Sequence, residues 1–324
     1  MSLDISSSLI TDIGAEHHGN HPPDDDEWFQ ESALFNFCDP RRGVGGEYRI
    51  GAHPNHGTGH LYTWTQLGGR MLDKRFVEDL DVPAGDVNSG ELHGLTITAE
   101  VPFERYRLQL QKDNLRVDLV WEAFHPPIVL SFNVAGATVA NGHYNALGRA
   151  TGSITFDGET TQVSGDGFMD HSWGTRHKHL PGSRWIIAVF DPETFVMALP
   201  LLSERGRAMA GYLAYDGRLT KLDHDFDVNM TMRDDWITPA ACDARLFDEL
   251  GRGIAVRGTT KGPSSIHPFT GGKMYCHALA EFEMGGRLGR GLLESSAPSA
   301  MYSTLLDEYQ LKPDGIWAPG PDQV

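Results

Sequence analysis

The 324 residues are 40% hydrophobic and carry a formal net charge of −17, enough chain for two domains of about 150 residues each. That charge, with no Lys/Arg run to neutralise phosphates, argues against a nucleic-acid partner. Three cysteines, Cys38, Cys242 and Cys276, are far apart and form no Cys-x-x-Cys pair, which excludes a disulfide framework or zinc knuckle; they are expected reduced and at least partly buried. No basic segment followed by an apolar run opens the chain, and no apolar run nears the ~18 residues of a membrane span. A soluble, cytoplasmic protein is expected.

The 37 glycines and 18 prolines, with recurrent Asp-Gly and Gly-Gly pairs, predict many tight turns and a mostly β protein. Residues 1–26 are polar and read as a flexible arm. Its His17, His18 and His21 could take up a metal, but a mobile arm is a poor cage, so such binding would be adventitious. The acidic run Asp24-Asp25-Asp26-Glu27 reads as a solvated lead-in, because adjacent acids repel. Strands are expected at residues 34–37 and 46–51. His53, His56 and His60 have roughly ligand-like spacing, but Pro54, Gly57 and Gly59 make that stretch a loop and no acid sits at a metal-site offset. No metal is assigned.

The clearest hairpin comes next. Tyr106, Leu108 and Leu110 alternate with Arg107, Gln109 and Gln111; after a turn at residues 112–114, Leu115, Val117, Leu119 and Trp121 alternate with Arg116, Asp118, Val120 and Glu122. A period of two on both sides of a turn is an antiparallel pair with one buried face. A second hairpin is expected over residues 152–163 around Asp157-Gly158. Beyond residue 177, strands are expected at 184–190, 195–201, 208–215, 218–222, 228–232, 243–247, 254–260, 275–284 and 289–294, with a tail at 303–324. No long amphipathic helix, strand–helix alternation, phosphate loop or Gly-x-Ser-x-Gly elbow occurs. Serial short strands predict meanders, each half having enough to close a barrel and so remove its exposed edges. An eight-stranded barrel can hold one small ligand.

Between the halves lies the densest chemistry: Gly165-x-Gly167-x-x-Asp170-His171-Ser172-Trp173-Gly174-x-Arg176. This resembles the signature of the carotenoid 1,2-hydratase (hydroxyneurosporene synthase) superfamily, which includes kievitone hydratase-like proteins. His143-Tyr144 and Gly289-x-Gly291-x-x-Glu294 match two further family elements. Together the matches span residues 140–300; the N-terminal half resembles the family only in layout and at residues 49–55. The resemblance implies an all-β fold of two antiparallel lipocalin-like barrels packed side by side, with the signature near their interface. The expected division is a 1–26 arm, a 27–164 barrel, a 165–302 barrel opened by the signature, and a 303–324 tail. It implies no cofactor, an apolar small-molecule partner of terpenoid, steroid or polycyclic kind, and chemistry ranging from alkene hydration to pericyclic cyclisation.

Alkene hydration by acid would need a carboxyl kept protonated by an apolar pocket. Asp170 is the candidate acid. His171 would orient or deprotonate water, and Glu294 could share either role. Trp173, Trp185 and Trp28 could face a cationic intermediate; Tyr144 and Arg176 complete the candidate substrate-binding set. Each has a structural alternative. Asp170 could pair with Arg176 or cap turn amides, Trp173 could be core packing, His171 could bind a strand, and Glu294 could sit at a strand end. Three other functions stay open: a carrier of an apolar molecule, a cofactor-free isomerase or cyclase, and a metal hydrolase using His53, His56 or His171.

Overall fold

The computed structural model describes residues 3–298 apart from 131–132, 135–136, 139, 176–181, 204–205, 235–236 and 270–272. Arg176 and the 303–324 tail therefore lie outside the described residues. Among those described, the one helical element is a turn of 3-10 helix, Ala15–His17; the ordered remainder is β-sheet and turns. Among the described residues no helix is long and apolar enough to cross a membrane. Among the described residues Cys38, Cys242 and Cys276 are buried and form no disulfide.

The chain forms two compact units, an N-terminal one of residues 9–131 and 140–176 and a C-terminal one of residues 1–8, 132–139 and 177–324. Each is built on one large, curled antiparallel sheet, the lipocalin-like all-β arrangement that the signature implies.

In the N-terminal unit the sheet runs, neighbour to neighbour, through Arg70–Asp81, Thr58–Leu67, Val44–His53, Phe29–Asp39, Glu159–Thr175, Gly142–Phe156, Leu115–Ala123, Arg105–Lys112, Leu95–Val101, Ser89–Leu92 and Ala84–Asp86. Pairing of the early strand Phe29–Asp39 with the late strand Glu159–Thr175 joins the two arms of this meander. Side chains link its two ends: Lys112 Nζ lies 2.8 Å from Asp73 Oδ1, and Arg75 Nη1 donates to the His93 carbonyl at 3.4 Å. Alternation fills the inside with Ala33, Phe35 and Phe37, Tyr106, Leu108 and Leu110, Leu115 through Trp121 at every second residue, and Tyr144, Ala146 and Met169. Each fully buried large side chain stabilises the barrel by about 1.5–3 kcal/mol.

The C-terminal unit closes completely. Gly182–Asp191, Thr194–Ser203, Gly206–Tyr215, Arg218–Met232, Pro239–Asp248, Gly253–Phe269, Lys273–Met284 and Arg287–Pro298 pair in succession, and the last pairs with the first. Closure satisfies the backbone groups that open edges would leave unpaired. Two strands outrun their expected ends. Residues 218–222 and 228–232 form one strand with a register shift between Leu222 and Phe226, and residues 254–260 continue to Phe269 through a shift between Thr260 and Ser264. Bulges absorb the residues that break the alternation, including Gly262 and Pro263.

Two boundaries differ from expectation. A cut at 164/165 falls inside the continuous strand Glu159–Thr175, so the signature completes the N-terminal unit instead of opening the second. Its glycines are not turn formers: a Cβ on Gly167 would strike the Asn36 backbone carbonyl of the neighbouring strand. The arm, expected to be flexible, is tied down: Ile10 bridges Val129, and Asn20 Oδ1 accepts from Val87 N at 3.0 Å. The acidic run is held as well, the Asn55 amide donating to the carbonyls of Asp24 and Asp26.

Candidate functional site

The signature strand sends its side chains to opposite faces. Met169 and Trp173 belong to the barrel interior, so His171, between them at the same parity, points inward, and Asp170 points the other way. His171 lies opposite Tyr144 on one neighbouring strand and Ala33 on the other; Trp173 lies opposite Gly142 and Glu31. A Cβ on Gly142 would collide with the Trp173 indole, so glycine there lets the ring lie flat across the ladder.

Glu31 is the hinge of the cluster. Its Oε2 lies 2.7 Å from His171 Nε2, and its Oε1 lies 2.8 Å from both His21 Nδ1 and His21 N. Glu31 and His171 are almost wholly buried. Burial alone would raise the carboxyl, but the hydrogen bonds from His171 and His21 outweigh it and hold Glu31 below the usual carboxylate range. It is an anion at neutral pH.

The proton on His171 can be assigned from Asn88. Asn88 Nδ2 lies 2.7 Å from the His18 carbonyl, which can only accept. The amide nitrogen therefore also faces His171 Nδ1, at 2.8 Å, and that ring nitrogen must accept. The ring proton then sits on Nε2 and is donated to Glu31. The Tyr144 hydroxyl, 3.0 Å from the Asn88 nitrogen and 3.1 Å from the same Nδ1, takes the second amide proton on its oxygen and donates its own proton to the bare ring nitrogen. Burial, then the nearby Tyr106, pushes the Tyr144 phenol well above its ordinary value, so it stays protonated. The result is a carboxylate, an imidazole of fixed tautomer and a phenol in line, the base–orienter logic of nucleophile activation.

The N-terminal segment roofs this array. His21 stacks on Trp173 at 3.8 Å between ring centroids and 9° between planes, and His17 at 5.3 Å and 15°. His17 Nδ1 lies 3.0 Å from His21 Nε2. His18 stacks on Tyr106 at 5.9 Å and meets Phe103 edge-on at 5.2 Å. Burial pushes the His18 pKa down.

Three of the residues expected from the sequence, His171, Trp173 and Tyr144, meet here. Asp170 does not join them; it is buried on the opposite face, 3.4 Å from His143 Nε2. Trp28, partly buried, lies beside His56 at 5.3 Å. Glu294 and Trp185 belong to the C-terminal unit, opposite one another on paired strands. There Glu294 Oε2 lies 2.8 Å from His277 Nε2 and its Oε1 accepts from Ser183 Oγ at 3.1 Å. Glu31 and Asn88 escaped sequence reasoning, and His21 entered it only as an adventitious metal binder. Glu31 had a signal: it shares the period of Ala33, Phe35 and Phe37, a charge on an otherwise apolar face. Asn88 had none.

His21, Glu31 and His171 also offer ligand atoms within 4.8 Å of one another, a spacing that could hold a metal ion. An ion would have to displace the His171 Nε2 proton, and the ring would then turn an N–H toward the Asn88 amide nitrogen, donor against donor. The hydrogen-bond network favours the proton in that position.

The family model described as "Domain of unknown function (DUF7064)" matches residues 14–299. Solved structures share the fold. A protein described as AttH from Nitrosomonas europaea has a TM-score of 0.61 at 15% identity, covering 87% of this chain and 95% of its own. CghA solved with Sch210972 has 0.58 at 12%, covering 84% and 89%. Kievitone hydratase from Nectria haematococca has 0.55 at 10%, covering 92% and 96%. No curated protein matches the sequence. At these identities the likeness speaks for the fold, which is the one that the signature implies.

Proposed function

The chain belongs to the DUF7064 family, and from that premise we propose that it is a hydratase or dehydratase acting on an apolar molecule of terpenoid, steroid or polycyclic kind, without a cofactor. The hydratase class is supported by the fold shared with kievitone hydratase. The observation that carries the chemistry is the alignment of Tyr144, His171 and Glu31.

In the hydration direction, water adds its oxygen to one alkene carbon and loses a proton to the Tyr144 oxygen. Tyr144 passes its own proton to His171 Nδ1. Glu31 stabilises the imidazolium that forms. The proton then returns along the same path to the second alkene carbon, so one water is consumed and the protein ends unchanged. Negative charge builds on that second carbon, which suits an alkene conjugated to an electron-withdrawing group. Dehydration is the reverse. An acid-first route would need a protonated acid on the same side of the substrate; Asp170 faces away from His171 and takes no part in this array. A cytoplasmic setting fits three buried cysteines that form no disulfide among the described residues.

The test is turnover of conjugated terpenoid, steroid and polycyclic alkenes in oxygen-18 water. Solvent oxygen in the product, lost with Tyr144→Phe, is the expected result. Isomerised product without solvent oxygen would point to an isomerase, and binding without turnover to a carrier; either would overturn the proposal.

A further inference from the structure

We propose that the mouth of the N-terminal barrel is a binding slot for a flat, unsaturated ring system bearing one hydrogen-bond donor, and that residues 17–21 of the chain compete for it. This deepens the proposed function and rests on Tyr144 and His171 being the reacting centre.

The slot is defined by what fills it. Two imidazoles of the segment lie nearly parallel to the Trp173 indole, with His21 at a van der Waals stacking distance of 3.8 Å. A third lies nearly parallel to Tyr106, and Phe103 presents its edge both to that ring and to Tyr144, at 5.5 Å. Trp173 and Tyr106 are thus two aromatic faces that take flat rings, here those of the segment itself, with Tyr144 beside them. Flat rings from the chain itself show that the shape and chemistry of the place suit planar π-systems.

An independent observation concerns polarity. Asn88 is fully buried, its amide nitrogen is engaged by His18, Tyr144 and His171, and its Oδ1 has no partner among the described residues. A buried acceptor of this kind is costly unless something donates to it. A hydroxyl or amine on the ligand would do so, and a hydration product carries such a hydroxyl. His21 N to Glu31, Asn88 to the His18 carbonyl, Val87 N to Asn20 and Asn20 N to Asp86 together hold the segment in place. A ligand must displace those contacts, so its apparent affinity falls by the fraction of time that the slot is clear.

The probe is 1-aminoanthracene, planar and with one amine, titrated against the full chain and followed by its fluorescence. His21→Ala removes the closest stack and an anchor of the segment, and is expected to bind the dye at least about tenfold more tightly than wild type. Adding Trp173→Leu to His21→Ala should abolish that gain. If His21→Ala does not fold by circular dichroism, His17→Ala leaves the Glu31 contacts intact and should tighten binding about threefold. Equal affinity in wild type and these variants, or affinity untouched by Trp173→Leu, would overturn the proposal. Dye binding needs no chemistry. Solvent oxygen in product without dye binding removes the slot alone; dye binding in the slot without turnover removes the hydratase alone.

Discussion

In the N-terminal unit the buried carboxylate of Glu31 receives two imidazoles, whereas in the C-terminal unit that of Glu294 receives one imidazole, His277, and one hydroxyl, Ser183. Both are pairs of like chemistry on adjacent strands, but the faces differ. Glu31 and His171 share the interior face with Ala33 and Met169. Glu294 follows the interior Leu293 and so projects from the opposite face of its strand. The continuation differs too. His171 meets a phenol and an amide at its second nitrogen, while Ser183 runs on to Ser296 at 2.6 Å. A carboxylate–imidazole pair is not chemistry in itself. What gives the first one a task is a transferable proton lined up on the far side of the ring.

The sharpest way to break this contrast is at Tyr144. Tyr144→Phe removes only the transferable proton and should lower kcat for hydration by about 10²–10⁴-fold, the usual worth of a positioned acid–base group. Glu294→Gln should leave it within about threefold, since it breaks no step of that relay. Steady-state kinetics on the alkene that turns over in oxygen-18 water decide between them.

Stability gives the next largest contrast. Glu31→Ala deprives two histidines of their acceptor and leaves a strand face with unpaired buried donors, at a cost of about 3–5 kcal/mol. Glu294→Ala should cost about 1–3 kcal/mol, because it strands one histidine and a hydroxyl that keeps Ser296. Urea unfolding of each variant measures both.

Acid should loosen the N-terminal unit. Burial pushes the His125 pKa from 6.5 down to about 4, with Nδ1 donating to the Pro126 carbonyl and Nε2 accepting from Leu147 N. Below pH 6.5 the unfolded chain takes up a proton that the folded chain refuses, so stability falls as pH drops from about 6.5 to about 4, by on the order of 3 kcal/mol. His18, also lowered, works in the same direction below 6.5. Glu31, held low, contributes stability above the ordinary carboxylate value that is lost as pH falls through its own. Unfolding free energy against pH should decline over that window, and His125→Gln should flatten the slope. At Gly142 the expected effect is of the size given for Glu294→Ala: Gly142→Ala pushes on the Trp173 indole and should cost about 1–3 kcal/mol in a thermal melt.

Much of this is legible in the sequence alone. Alternation at Tyr106–Leu110 and Leu115–Trp121 marked a hairpin, and the pairing runs Leu115 against Lys112 as that pattern requires. Asp-Gly pairs marked turns, and Asp157, Gly158, Asp216 and Gly217 all have the positive φ of a tight hairpin turn. The signature pointed to the strand that carries His171 and Trp173. What stayed hidden was parity and partnership. A motif written as Asp-His-Ser-Trp invites Asp170 and His171 to be joined, but neighbours along a strand face opposite ways. Glu31 lies 140 residues from His171 in sequence, and only strand order brings them together. The arm reads as flexible because it is polar; only Trp173 and Glu31, far away in sequence, make its histidines packed rings.

The relay rests on one proton. Histidine-labelled protein observed by two-bond nitrogen–hydrogen NMR at neutral pH reports the tautomer of His171 directly, with His171→Gln identifying the signal. The prediction is a neutral ring with its proton on Nε2 and an accepting Nδ1, shifted on Tyr144→Phe. A proton on Nδ1, with Nε2 unprotonated toward Glu31, would contradict the relay and reopen that position to a metal ion.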